Sequence, residues 1–242
     1  MKKLRCFAAL AALLPLLASG CMPSPGRGDG GAPVGTPGVQ IMATEPPRPD
    51  GTETGLALDT AASLPEDLPV LPEGTVRILF INVGKADAAL VQAGEKAVLI
   101  DTGTAEAAAY LLGALHTLGV DGLDAVFLTH THKDHIGGME ALGQNFPVGE
   151  LYGAEYSENK KSGKNAVTEL AGSLGLQLTR LSAGDAYDLG GGAAFTVLGP
   201  IEKNQDDDND NSLVLMLSAN GRRVLFTGDM QLAEEDSLLS AE

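Results

Sequence analysis

The sequence predicts an α/β fold, in which helices and mixed sheets form layers. Short apolar runs alternate with alanine- and leucine-rich runs from residue 74 to residue 242. The nearly continuous apolar run DAVFLTH (124–130) is typical of a strand that is covered on both faces. The pair Asn220-Gly221 joins two further apolar runs and indicates a hairpin. Together these features favour sheets that helices cover.

The first twenty residues have the features of a signal peptide. Lys2, Lys3 and Arg5 precede the apolar run CFAALAALLPLLA (6–18), which is shorter than the roughly 20 residues of a membrane span. The following ASGC (18–21) resembles the lipobox of bacterial lipoproteins. We therefore expect lipid on Cys21, export, and anchoring to the outer face of the cytoplasmic membrane. The alternative is ordinary cleavage beside a chance cysteine.

Residues 21–73 are predicted to be a disordered linker that begins at the lipidated cysteine. Ten of the thirteen prolines lie between residues 22 and 73, among glycine, serine and threonine. Such a composition buries too little apolar surface to fold. The predicted domain therefore comprises residues 74–242. The whole chain has a formal net charge of −16, which argues against tight binding to nucleic acid.

The strands of this domain are predicted from short apolar runs that turn residues separate. They are TVRILFINV (75–83), AALVQA (88–93), KAVLID (96–101), DAVFLTH (124–130), ELYGAE (150–155), LQLTRLSAG (176–184), AAFTVLGP (193–200), SLVLMLSAN (212–220) and RVLFTGD (223–229). Helices are expected from Asp101 to Leu118, after Gly138, at 165–175 and from Gln231 onward. The acidic run NQDDDNDN (204–211) lacks the spacing of an EF-hand calcium loop, so a solvated acidic loop near the site is expected.

Three of the four histidines lie within six residues, directly after a predicted buried strand. His130 and His132 are two residues apart, so both point the same way in extended backbone and can bind one ion. Asp134 and His135 follow and can bind a second ion beside it. Imidazole and carboxylate together suit zinc, and also iron or manganese.

The pattern H-x-H-x-D-H at 130–135 is the signature of the metallo-β-lactamase fold superfamily, which this chain resembles. The stretches INVGKADAALVQ (81–92), VLIDTG (99–104), THTHKDHIGG (129–138), NDNSLVLML (209–217) and VLFTGD (224–229) resemble the branch related to the soluble domain of the competence protein ComEC. The resemblance implies a metallo-β-lactamase-like αββα sandwich.

The same resemblance implies a set of site residues and an activity. His130 and His132 would bind the first metal, Asp134 and His135 the second, with Asp229 bridging the two and Asp101 in support. Two divalent ions, zinc or else manganese or iron, would activate water for hydrolysis, with Asp134 orienting the hydroxide as the catalytic residue. The expected substrate is a phosphodiester or another small ester.

The resemblance also implies a last histidine ligand on a strand after Asp229. The given sequence stops at Glu242, so we expect the domain to be truncated at its C-terminus and to lack at least one ligand. The alternative to an enzyme is therefore a catalytically crippled surface lipoprotein that uses the fold as a binding module.

Overall fold

A computed structural model describes residues 39–43, 71, 74–158 and 165–241. These residues belong to one unit, Gly35–Glu242. The predicted signal peptide, Cys21 and most of the predicted linker lie outside the described residues. Among the residues that are described, no helix combines the length and the apolar content that a membrane crossing requires.

The first sheet has seven strands, which lie side by side in chain order. They are β1 (Val39–Ala43), β2 (Val76–Phe80), β3 (Ala89–Ala93), β4 (Lys96–Ile100), β5 (Leu123–Leu128), β6 (Val148–Ala154) and β7 (Leu178–Leu181). The strands β2, β3 and β4 form an antiparallel meander, whereas β4 to β7 run parallel. This parallel half matters for the site, because its carboxyl ends meet at one edge of the sheet.

The second sheet has four antiparallel strands in the order β11-β10-β9-β8. They are β8 (Ala186–Gly190), β9 (Ala193–Gly199), β10 (Val214–Ala219) and β11 (Arg222–Phe226). The predicted hairpin between the last two is confirmed, and both Asn220 (φ 51°) and Gly221 (φ 71°) have the positive φ that this turn requires.

Five helices complete the described fold: α1 (Ala108–Thr117), α2 (Lys133–Ile136), α3 (Met139–Asn145), α4 (Ala166–Leu174) and α5 (Leu232–Ser240). The sequence places clear ends on α4. The Asn165 side chain accepts a hydrogen bond from the Thr168 N–H at its start, and Gly175 adopts the left-handed conformation at its end.

Two apolar cores hold the layers together, one on each face of the first sheet. Helices α1, α3 and α4 cover one face, where Leu111, Leu115 and Met139 are fully buried. The second sheet covers the other face, where Phe127 packs against Phe195 with ring centroids 5.4 Å apart. Because α5 contacts β9, the layers follow the predicted helix–sheet–sheet–helix order. The predicted burial of β5 on both faces is confirmed.

Three details differ from the sequence predictions. Residues 39–43, inside the predicted linker, form β1, because this short apolar stretch pairs with the edge of β2. Helix α1 begins at Ala108 rather than at Asp101, which adopts a positive φ and serves the site instead. Strand β8 was not predicted, because it is an edge strand in which only Leu189 is buried.

Candidate metal centre

The histidine-rich segment lies at the edge where β4 and β5 end. Asp101 directly follows β4, and the segment 129–132 directly follows β5, so the parallel pairing of these strands places them side by side. Asp229 reaches the same edge from the end of β11. A side chain at Gly228 would come within 2.9 Å of Thr129, so this glycine allows the close approach.

The first ligand cluster consists of His130, His132 and Asp229. Their ligand atoms all lie within 4.8 Å of one another. His130 Nε2 is 3.0 Å from His132 Nδ1 and 3.9 Å from the nearer Asp229 oxygen, Oδ2. His130 is buried, Asp229 half-buried and His132 exposed. The cluster therefore has a protein side and a side that is open to a substrate.

The second ligand cluster shares Asp229 and adds His135 and Asp87, again within 4.8 Å. His135 Nε2 is 3.2 Å from Asp229 Oδ1 and 3.9 Å from Asp87 Oδ2. The two oxygens of Asp229 thus face different histidines, as expected of a carboxylate that bridges two ions.

These residues fit two divalent ions. Each cluster offers three protein ligand atoms, which is the number in catalytic zinc sites that keep one position open. Imidazole nitrogens combined with carboxylate oxygens are also compatible with manganese and iron. The arrangement therefore supplies ligands for two neighbouring ions without specifying which metal is bound.

Asp101 supports the second cluster from behind. This carboxylate is 1% exposed; it accepts hydrogen bonds from the Thr129 N–H, the Thr129 hydroxyl and His135 Nδ1–H, each 2.8 Å long. Because Nδ1 of His135 is used in this way, its Nε2 faces the cluster. The supporting role that the resemblance implied for Asp101 agrees with this geometry.

The two buried histidines have opposite pKa shifts. Burial, together with the charges of His135 and His132, lowers the pKa of His130 to about 3, so its imidazole is neutral near pH 7. Burial alone would also lower the pKa of His135. The hydrogen bond and charge of Asp101, with the charges of Asp229 and Asp87, outweigh burial and raise that pKa to about 9.

The acidic run 204–211 is only in part the solvated loop that was predicted, since Asp206 is exposed but Asp208 and Asp210 are buried. Asp208 is buried, and its carboxylate accepts hydrogen bonds from the N–H and hydroxyl of Thr131 at 3.2 and 2.7 Å, from the Ser157 hydroxyl at 2.8 Å and from the Glu158 N–H at 2.9 Å. Burial alone would raise the pKa of Asp208, but these hydrogen bonds hold it below its usual value. Asp208 therefore fixes the backbone between the two histidines of the first cluster.

Other residues of the same segment position Asp229. Asp210 is also buried, and its Oδ1 accepts hydrogen bonds from the N–H groups of Gln231 (2.9 Å) and Glu234 (3.2 Å) at the start of α5. The Ser212 hydroxyl accepts one from the Asp229 N–H at 3.2 Å. The burial of Asp208 and Asp210 was not predicted, because composition alone does not reveal which backbone N–H groups a carboxylate will meet.

Position 138 requires glycine, because a side chain there would collide with the backbone of Thr102. A Cβ there would lie 2.2 Å from the Thr102 carbonyl oxygen. The same Thr102 donates its N–H to the His135 carbonyl at 2.7 Å. The glycine thus brings α2 and the loop after β4 together.

The structure brings together four of the five predicted ligands, namely His130, His132, His135 and Asp229. The Asp134 carboxylate belongs to neither cluster. Asp134 and His135 are consecutive in the short helix α2, where neighbouring side chains point roughly 100° apart, and the ligand role of Asp134 stays a prediction. Sequence reasoning missed Asp87, although it lies within the stretch INVGKADAALVQ that carried the resemblance.

Comparisons with known proteins identify the family of this chain. The metallo-beta-lactamase superfamily matches residues 81–241. The chain is 31% identical over 170 residues to the competence protein ComA of Neisseria gonorrhoeae, covering 70% of this chain and 22% of that protein. It is 27% identical over 180 residues to the ComE operon protein 3 of Bacillus subtilis, covering 66% of this chain and 23% of that protein. The chain thus spans less than a quarter of the length of these curated relatives.

A solved metallo-β-lactamase from Cronobacter sakazakii with a HARLDQ motif is also similar, with 15% identity and a TM-score of 0.45 over 60% of this chain and 57% of that one. The family match extends from the segment directly after β2, through both ligand clusters, to α5, and so includes every residue of the candidate metal centre. This chain belongs to the metallo-beta-lactamase superfamily.

Proposed function

We propose that this chain is a metal-dependent hydrolase that cleaves phosphodiester bonds. The observation that carries the proposal is the sharing of Asp229 by two ligand clusters. Two divalent ions about 3.5–4 Å apart would activate water and stabilise the charge on a phosphoryl group, as in phosphatases and nucleases. The resemblance to the ComEC branch favours a diester over a β-lactam.

Within this proposal, each residue has a task that its position supports. His130, His132, His135, Asp87 and Asp229 hold the ions. Asp134 lies outside both ligand clusters and is half-buried, and its charge acts on His130. As the resemblance implies, its carboxylate is assigned to orient the attacking water and accept its proton.

The negative charge of the chain favours a small substrate over a long nucleic acid. A formal net charge of −16 repels a polyanion such as a long nucleic acid, whereas a small diester carries few phosphate charges. A compact phosphodiester is thus the preferred substrate class.

We expect the manganese- or zinc-loaded protein to hydrolyse a bis-aryl phosphate and to leave a chromogenic β-lactam and a glutathione thioester intact. His130→Ala should lose at least about 100-fold in turnover, the size of effect that a single electrostatic group commonly has. His116→Ala is the matched control, because this exposed histidine packs against Phe146 in the helical layer, with ring centroids 5.2 Å apart. A chain that binds two ions but leaves the diester intact would favour the binding module over the enzyme.

We also propose that the domain is exported and anchored to the outer face of the cytoplasmic membrane through lipid on Cys21. Support comes from the sequence around ASGC (18–21), which lies outside the described residues. A fatty-acid probe should label the wild-type protein but not Cys21→Ser. Equal labelling of both proteins would eliminate the lipid anchor.

A further inference from the structure

We propose that Asp87 is a metal ligand that completes the second ion site together with His135 Nε2 and Asp229. This assignment deepens the proposed function, on whose two-ion site it rests. It adds a residue to the predicted ligand set, which did not include Asp87.

The distances between ligand atoms support the assignment. Two ligands of a tetrahedral zinc ion, each bound at about 2.0–2.2 Å, lie roughly 3.3–3.6 Å apart. His135 Nε2 is 3.2 Å from Asp229 Oδ1 and 3.9 Å from Asp87 Oδ2. All three ligand atoms lie within 4.8 Å of one another, so small side-chain adjustments would bring them to the separations of ligands on one ion.

The backbone of Asp87 is fixed from two sides. Its N–H donates to the Asp134 carbonyl at 3.2 Å, and its own carbonyl accepts from the Gly103 N–H at 2.9 Å. Gly103 in turn accepts a hydrogen bond from the Gly138 N–H at 3.1 Å. Asp87 is thus tied both to the helix that carries His135 and to the loop after Asp101. These backbone bonds hold position 87 beside the second cluster, whatever its side chain.

The preceding turn places Asp87 at the mouth of the site. The Asn82 side chain accepts a hydrogen bond from the Gly84 N–H at 3.0 Å, and Gly84 has a φ of 82°. This turn ends the extended segment after β2 and returns the chain toward β3. The Asp87 side chain is 65% exposed, so it faces the open side of the second cluster rather than the core.

The local charge is consistent with a bound cation. Three carboxylates, those of Asp87, Asp101 and Asp229, lie close to the single imidazole of His135. A divalent ion beside Nε2 would balance the carboxylates of Asp87 and Asp229. Asp101 is committed to Nδ1 of the ring, which leaves the other two carboxylates beside Nε2.

The test measures metal content and does not depend on turnover. The full chain and Asp87→Asn are loaded with Mn²⁺ or Co²⁺, passed through a desalting column, and analysed for ions per chain and for affinity in competition with a chelator. Asp121→Asn is the matched control, because Asp121 is an exposed aspartate in the loop before β5. Thermal unfolding in the presence of EDTA checks that the variants fold as the wild type does.

We expect two ions in the wild type and in Asp121→Asn, but one in Asp87→Asn. The affinity for the second ion should fall by more than about tenfold, since even partners outside the ligand shell affect affinity by about 10–100-fold. Combining Asp87→Asn with His135→Ala should remove no ion beyond the one that His135→Ala removes alone.

If Asp87→Asn bound both ions with wild-type affinity, Asp87 would not be a ligand. The proposal of phosphodiester cleavage would be unaffected. A wild-type chain that binds fewer than two ions would overturn the assignment together with the two-ion site. Conversely, Asp87→Asn could lose one ion while the wild type fails to hydrolyse the diester. That result would support Asp87 as a ligand and reject the proposed substrate.

Discussion

Asp229→Ala should release both metal ions, whereas His132→Ala should release mainly the first. Asp229 is the only residue that belongs to both ligand clusters among the described residues, and its two oxygens face different histidines. Removing it leaves each ion with two protein ligands. We expect the affinity for both ions to fall by at least about 100-fold, the upper end of what supporting partners contribute.

Elemental analysis of the desalted proteins measures this difference directly. Asp236→Ala is the control, because Asp236 is an exposed residue of α5, seven positions further along the chain. If Asp229→Ala retained one tightly bound ion, Asp229 would serve a single site and would not bridge two.

Asp101→Ala should destabilise the fold as well as the metal site. The carboxylate is buried and satisfies the N–H and hydroxyl of Thr129 and the Nδ1–H of His135. Alanine leaves these donors without a partner in the interior, which typically costs about 3–5 kcal/mol when a buried charged partner is removed. Alanine also tolerates the φ of 57° less well than aspartate or asparagine does.

Asp101→Asn separates the effect on fold stability from the effect on metal binding. Asparagine adopts the same backbone conformation and keeps one acceptor oxygen for Thr129, so the free energy of unfolding should fall less. Its amide cannot hold His135 in the tautomer that directs a bare Nε2 toward the ion, so the second ion should still be lost.

Urea unfolding in EDTA measures the stability of both Asp101 variants without the contribution of bound metal. Asp121→Ala is the surface control. A midpoint for Asp101→Ala equal to that of the wild type would show that the hydrogen bonds of Asp101 do not stabilise the fold.

The sequence predicted most of the fold because its local signals agree with its packing. The run DAVFLTH has the continuous apolar character of a strand between two cores, and β5 is buried on both faces. Asn220-Gly221 specifies a hairpin through backbone conformation alone. At these two places the local sequence is enough to determine the structure, and the prediction is therefore confirmed.

The candidate site was predictable only in part, because several of its residues act through distant partners. The histidines at 130–135 are adjacent in sequence, and a single strand end brings them together. Asp87, however, reaches His135 from a loop 48 positions earlier, as the pairing of its backbone with α2 shows. Asp208 contacts Thr131 across 77 positions. Asp87 lies in a stretch that carried the resemblance, but neither aspartate has a local feature that indicates its distant partner.

This superfamily member should hold two neighbouring ions, with Asp229 between them. Anomalous diffraction from crystals of the manganese- or zinc-loaded protein tests it most directly. The structure predicts two anomalous peaks about 3.5–4 Å apart, one beside His130 and His132 and the other beside His135, with an Asp229 oxygen bound to each. A single peak, or two peaks without contact to Asp229, would contradict it.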